Sequence, residues 1–218
     1  MKIMGELYKE NWKPFVMNLY NNPFPGKFIS FEGVDGVGKT TLLDLTASFL
    51  RKKGIKVETT YTPSAEIRNL SYWKAYGDAN SDRSDFDPFG LDLVAFGDRL
   101  VWQNRFLIPL LQQGTWVLCD RHILNSLVYN QHACFLNLLN YVLKPDLGFV
   151  ITVDIGTSVS RVRKRGEVET NEMIMEKQIM SERYLLMAKK YNYIIVDTTQ
   201  NTPDQSFETI EKSLDMLI

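Results

Sequence analysis

The chain has 218 residues, enough for one domain of ordinary size with a small appendage. Hydrophobic residues make up 44% and charged residues 23%, which supplies a sizeable core and excludes global disorder. A formal net charge of -1 excludes a surface coated for nucleic acid or for an acidic membrane, so any basic site must be local.

Cys119 and Cys134 are the two cysteines, without close pair spacing, and both read as free thiols of a reducing compartment. With His122 and His132 they fit no usual zinc pattern. Met1 to Tyr20 is broken by Lys2, Glu6, Lys9, Glu10 and Lys13, so it is no signal peptide. No later segment is long and apolar enough to span a bilayer, and the cytoplasm is the expected address.

Residues 1–26 form an extension ahead of a domain over 27–218. Met4, Leu7, Tyr8, Trp12, Phe15, Val16 and Leu19 can line one face of a broken helix, with Pro14 near its start. Such a stripe reads first as packing on the domain, and second as a partner-binding arm. The first strand is Phe28 to Phe31. Gly33-Val34-Asp35-Gly36-Val37-Gly38-Lys39-Thr40-Thr41 then reads G-x-x-x-x-G-K-T, the P-loop pattern, and a helix runs on to Leu50. The glycines let the backbone approach a ligand, and the amides with the helix N-terminus form an anion nest. In that setting Lys39 reaches the β- and γ-phosphates of a nucleoside triphosphate, and Thr40 ligates Mg2+.

Lys56 to Tyr61 is the second strand, and Ser64 caps a helix over Ala65 to Leu70. Residues 77–90 read as a long loop kept solvated by Asp78, Asp82, Asp85 and Asp87. Leu91 to Gln113 is a long helix carrying Asp98 and Arg99, with Pro109 as the expected kink. Trp116 to Cys119 is the third strand, ending on Asp120-Arg121-His122. A helical region from Leu124 to Leu143 stops before Pro145, and Leu147 to Asp154 is the fourth strand. Ser158 to Arg165 is a basic helix and Glu172 to Lys190 another. Tyr193 to Val196 is the fifth strand, and Asp204 to Leu217 the last helix.

Strands apolar on both faces, alternating with helices, imply an α/β fold of the P-loop type: a five-stranded parallel sheet flanked by helices on both faces. Ligands of such sheets bind outside the carboxyl ends of the strands. The P-loop, Pro63-Ser64 and Asp120-Arg121 all fall there, so three segments converge on one crevice. Asp120 is placed to approach Mg2+. Arg99 and Arg121 suit an acceptor phosphate, since a guanidinium binds bidentately. Arg161, Arg163 and Arg165, with Lys164, crowd a helix end. They fit either a solvated basic face or a lid over the transferring phosphoryl group.

These segments together resemble the thymidylate kinases. Phe31 to Thr41 looks like their P-loop, and Phe96-Gly97-Asp98-Arg99 resembles their A-A-D-R segment. Asp120-Arg121-His122 with Asn125-Ser126 and Tyr129-Asn130 is similar to their D-R-Y/H and following helix. Arg161 to Glu167 resembles their lid, which Glu172 closes. The resemblance implies transfer of the ATP γ-phosphoryl group to dTMP by a homodimer, with Mg2+ on Thr40 and Asp120. It further implies that Asp35 holds the sugar 3′-hydroxyl and that Arg99 and Arg121 grip the acceptor phosphate. Phe96, Tyr129 and Asn130 would lie near where the base stacks and is read, and the catalytic cations would be Lys39, Arg121 and the lid arginines. The chain departs from that pattern in four places. Thr60-Tyr61-Thr62-Pro63-Ser64 replaces T-R-E-P-G, and Glu169-Thr170-Asn171-Glu172 lacks an arginine of the lid. Asn130 replaces a glutamine, and Ala95 stands where a base-stacking phenylalanine is usual. Arg68 or Lys164 would then supply the missing charge. A nucleoside kinase of the same build and a nucleotide-binding regulatory protein are the two alternatives that the residues leave open.

Overall fold

The computed structural model describes residues 17–78, 81–82, 86–129 and 138–218. In chain order its elements are β1 (Phe28–Glu32), α1 (Lys39–Lys52), β2 (Val57–Tyr61), α2 (Ala65–Arg68), α3 (Ser71–Gly77) and α4 (Pro88–Trp102). Next come α5 (Ile108–Gln112), β3 (Trp116–Asp120), α6 (Ile123–Tyr129), β4 (Leu147–Thr152), α7 (Ile155–Lys164), α8 (Asn171–Tyr191), β5 (Ile194–Asp197) and α9 (Pro203–Leu214). The five strands pair in parallel in the order β2-β3-β1-β4-β5. β1 lies at the centre of the sheet, so the loop after it opens between β3 and β4, at the carboxyl edge.

Alternation along the central strands covers both faces. Ile29 and Phe31 of β1 and Leu118 of β3 pack with Leu42, Ala47 and Leu50 of α1 in one apolar cluster. Phe28, Val117 and Cys119 point the other way, into a cluster with Trp102, Leu107 and Leu111. All of these side chains are at most 8% exposed. Burying a large apolar side chain contributes roughly 1.5–3 kcal/mol, so this double-sided burial is the main force fixing the sheet.

Several boundaries move from the sequence reading. Asp87 does not merely solvate a loop: it accepts the Phe89 N–H at 3.1 Å and caps α4, which starts at Pro88. Ahead of it lies the short helix α3, in the stretch between Leu70 and the expected loop. The irregularity in the long helix is a π-turn over Gln103–Leu107, just before Pro109 rather than at it. Proline lacks an N–H and its ring crowds the carbonyl four residues earlier, so the chain widens upstream and restarts as α5. Of the helix expected over 124–143, the described residues hold α6 at its start and one 3₁₀ turn, Leu139–Tyr141, at its end, and 130–137 lie outside them. The basic helix begins three residues early, because Asp154 accepts the Thr157 N–H at 2.9 Å as its cap.

Residues 1–16, with most of the expected N-terminal stripe, lie outside the described residues. The segment from Met17 to Gly26 is fastened to the domain. The Tyr20 N–H donates to the Val142 carbonyl at 3.2 Å, and Asn22 donates to Asp146 at 2.7 Å.

Candidate active site

The turn from β1 into α1 keeps Gly33 at φ 137° and Gly36 at φ 82°, a region closed to most side chains. Neither could carry a Cβ. At Gly33 it would lie 2.4 Å from the Ile151 carbonyl oxygen, and at Gly36 2.6 Å from that of Ser158. The loop's own carbonyls are tied to the body of the domain. Ser158 Oγ donates to the Asp35 carbonyl (2.5 Å), Thr198 Oγ1 to that of Val37 (2.9 Å), and Arg161 to that of Gly36 (3.4 Å). Gly38 is the N-cap of α1 and offers no side-chain acceptor. The N–H groups of the loop and of the first helical turn are therefore left as donors for an anion.

Lys39 is 6% exposed, and its ammonium donates to the Val34 carbonyl at 2.8 Å. Burial, with the like charge of Arg121, brings its pKa down to about 8 against the pull of Asp35 and Asp120. Thr40 Oγ1 donates to Oδ2 of Asp120 at 3.0 Å. The second oxygen of Asp120, Oδ1, is buried and has no hydrogen-bond partner among the described residues. A threonine hydroxyl beside an orphaned carboxylate oxygen is a donor set that fits a hard divalent cation.

Arg121 has φ 69°, rare for a residue with a side chain and costing roughly 1–2 kcal/mol. Three hydrogen bonds hold it. Its N–H donates to the Phe31 carbonyl (2.8 Å), and its own carbonyl accepts from Thr62 Oγ1 (2.9 Å) and Cys119 Sγ (2.9 Å). The turned backbone sends the guanidinium back to the loop, where it pairs with Asp35 and donates to Asn125 Oδ1 (2.6 Å) and the Gly33 carbonyl (3.3 Å). Arg121 holds the Asp35 carboxyl well below the usual carboxylate range, although the side chain is 65% exposed. Beneath them, Oε1 of Glu32 accepts the N–H groups of His122 (3.0 Å) and Leu124 (3.2 Å). Burial pushes Glu32 up to about 7, with the Arg99 charge opposing.

These groups line one cavity of about 680 Å3. Lys39, Thr40, Asp120 and Arg121 line it together with Arg68, Trp73 and Tyr76. Arg165 and Glu176 reach it from the segment after α7 and from α8. A smaller hollow of about 180 Å3, bordered by Gly38, Thr41, Arg161, Arg165 and Asn201, lies against the loop.

A family model described as thymidylate kinase matches residues 31–210. The probable thymidylate kinase of Methanocaldococcus jannaschii is 33% identical over 183 residues, covering 82% of this chain and 90% of its own. That of Caldivirga maquilingensis is 31% identical, over 79% of this chain and 86% of its own. Among solved structures, the thymidylate kinases of Candida albicans and Ehrlichia chaffeensis each superpose with a TM-score of 0.64. They are 20% and 22% identical, cover 88% of this chain and 92% and 99% of theirs, and their likeness is one of fold. The chain belongs to the thymidylate kinase family. It is a phosphotransferase that uses ATP to phosphorylate dTMP.

Against the residues that family resemblance pointed to, the structure is selective. It gathers Asp35, Lys39, Thr40, Asp120 and Arg121, and it brings Arg68 to the same cavity. Arg68 stacks on Tyr61, 4.3 Å from the ring centre, and donates to the Pro63 carbonyl at 2.9 Å. It does not bring Arg99 or Phe96 there. They are 1% and 3% exposed and line no part of the cavity, because helical spacing turns Ala95, Phe96 and Arg99 inward while Leu93, Gly97 and Val101 face out. Arg99 donates instead to Ser126 Oγ at 3.1 Å. Its chain neighbour Asp98 accepts from the N–H and hydroxyl of Ser64 at 2.7 and 2.6 Å. Tyr129 ends α6, but its side chain, Asn130 and the side chain of Glu172 lie outside the described residues.

The three arginines of the expected lid part company. Arg161 braces the loop and Thr198 (3.0 Å), Arg163 faces a hollow between α7 and α8, and Arg165 alone of the three reaches the main cavity. Buried Lys177 pairs with Glu169, so the segment after α7 is anchored to α8. Sequence reasoning missed Trp73, Tyr76 and Glu176. The first two stand three apart in Tyr72-Trp73-Lys74-Ala75-Tyr76, a helical spacing that could have marked a common face.

Proposed function

We propose that the protein joins ATP and dTMP in this one cavity and that its own residues divide the work between the two substrates. The loop amides from Gly33 to Thr41 and Lys39 hold the β- and γ-phosphates of ATP. Arg121 grips the phosphate of dTMP, with Arg68 as the second cation in place of the arginine missing at Tyr61. Asp35, kept ionised by Arg121, accepts the sugar hydroxyl. A dTMP phosphate oxygen attacks the γ-phosphorus as the bond to the β–γ bridging oxygen breaks, leaving ADP and dTDP. The cations neutralise the charge gathering on the transferring group, and Arg165 adds to them from the segment after α7. Thr40 and Asp120 would hold Mg2+, which when bound shields the phosphate oxygens it touches.

One observation supports this division above the others. Asp35 of the ATP loop and Arg121 at the end of β3 are ion-paired, so donor and acceptor cations share a wall. An acceptor panel tests the reading. ADP release should require both dTMP and a divalent cation, and EDTA should abolish it. Tight ATP binding without turnover of any monophosphate, or thymidine outrunning dTMP, would refute it.

A further inference from the structure

A nucleotide is anionic at one end and a flat aromatic ring at the other, and the cavity is divided in the same way. The charge of Arg121 acts on both Lys39 and Arg68, as do those of Asp35 and Asp120, and the three cations make up the end that suits phosphate. What remains to receive a ring is the wall made by α3 and the start of α4. Bases are held in proteins chiefly by stacking on aromatic side chains. Phe96 and Ala95 are buried in the core, 3% exposed each, and Trp102 and Trp116 are interior at 8% and 7%. Among the described residues the aromatic rings lining the cavity are Trp73 and Tyr76. The Tyr76 ring is already held edge-on by Phe86, 5.7 Å between centres at 71°. The Trp73 indole, partly buried, has no ring contact and no hydrogen bond among those residues.

We propose that Trp73 is the surface on which the base of the acceptor nucleotide stacks, in place of any residue of α4. The inference rests on the reading of dTMP as the acceptor in this cavity. It moves base recognition from a helix built into the core to a short helix at the rim. It also explains how the chain keeps Ala95 where a large aromatic would otherwise be needed.

Two variants test it, both in a Trp12→Phe background so that the tryptophan signal comes from Trp73, Trp102 and Trp116. Trp73→Ala should raise the KM for dTMP roughly ten- to hundredfold while leaving the KM for ATP unchanged. Trp73→Phe keeps a ring, so its KM for dTMP should stay within about threefold of the parent. The parent's tryptophan fluorescence should be quenched by dTMP, and Trp73→Phe should lose that quench, because Trp102 and Trp116 are interior. An unchanged KM for dTMP in Trp73→Ala, an equal rise in both KM values, or an undiminished quench in Trp73→Phe would overturn the proposal. The quench decides the matter even if the alanine variant fails to fold. A parent protein that turns over dTMP while ignoring Trp73 would sink this inference alone; one that turns over no dTMP would sink the functional reading with it.

Discussion

The two ends of the cavity are built in opposite ways. The proposed ATP end is nine consecutive residues, Gly33 to Thr41, whose carbonyls are pinned from behind by Ser158, Arg161 and Thr198. The proposed dTMP end takes its side chains from α2, α3, α6, α8 and the turn after β3, and none of its cations is adjacent to another in the chain. A site made of backbone amides in one tight loop tolerates little change, since Gly33 and Gly36 have no room for a side chain. A site made of scattered side chains can lose an arginine at one position and regain a charge at another. The pair Tyr61 and Arg68 fits that pattern, with the arginine now lying over the tyrosine ring.

If the comparison holds, damage at the ATP end should be severe and close to uniform. Lys39→Ala should lower turnover on the order of a hundred- to a thousandfold, the scale for removing one group that stabilises transition-state charge. The thermal midpoint should barely move, because Lys39 meets a loop carbonyl rather than a packed partner. Near-normal turnover by a folded variant would break the account of this end.

A smaller effect tests the floor beneath both ends. Glu32 is pushed up to about 7 from about 4.5, so the folded protein keeps a proton that the unfolded chain has lost in that window. The folded state then binds more protons than the unfolded one, and its stability should fall as pH rises from about 4.5 to about 7. Urea titrations across that range should show parent and Glu32→Gln diverging by roughly 1–3 kcal/mol, with the glutamine variant the flatter. The new amide would keep an oxygen to accept the His122 and Leu124 N–H groups, so the difference isolates the charge. Parallel pH profiles would mean that Arg99 cancels the burial of the carboxylate.

The same contrast decides what could be read from the chain alone. The sheet was legible because β1, β3 and β4 are apolar on both faces, and the ATP end because its donors are consecutive. Arg121 was legible because it comes directly after Asp120 at a strand end. Its left-handed backbone was not, since no local signal marks a non-glycine residue held that way by Phe31, Thr62 and Cys119. Arg99 and Phe96 were misplaced because membership of a motif does not reveal which face of α4 turns inward. Trp73 was missed because α3 is seven residues long, too short for its periodicity to stand out from a polar, glycine-containing stretch. The lid arginines looked equivalent in a run of basic residues, but successive positions on one helix point in different directions. Arg161 and Arg165 accordingly share the hollow beside the loop, Arg165 also reaches the main cavity, and Arg163 faces neither.

Arg121 sits where the two ends meet, and the split it produces between the two substrates tests the division most directly. Steady-state kinetics of Arg121→Ala, with each substrate varied in turn, should show the KM for dTMP rising on the order of a hundredfold, as expected for losing a desolvated charge-assisted contact. The KM for ATP should move by less than about threefold. An equal loss for ATP and dTMP, or a loss confined to ATP, would contradict the assignment of separate donor and acceptor ends to this cavity.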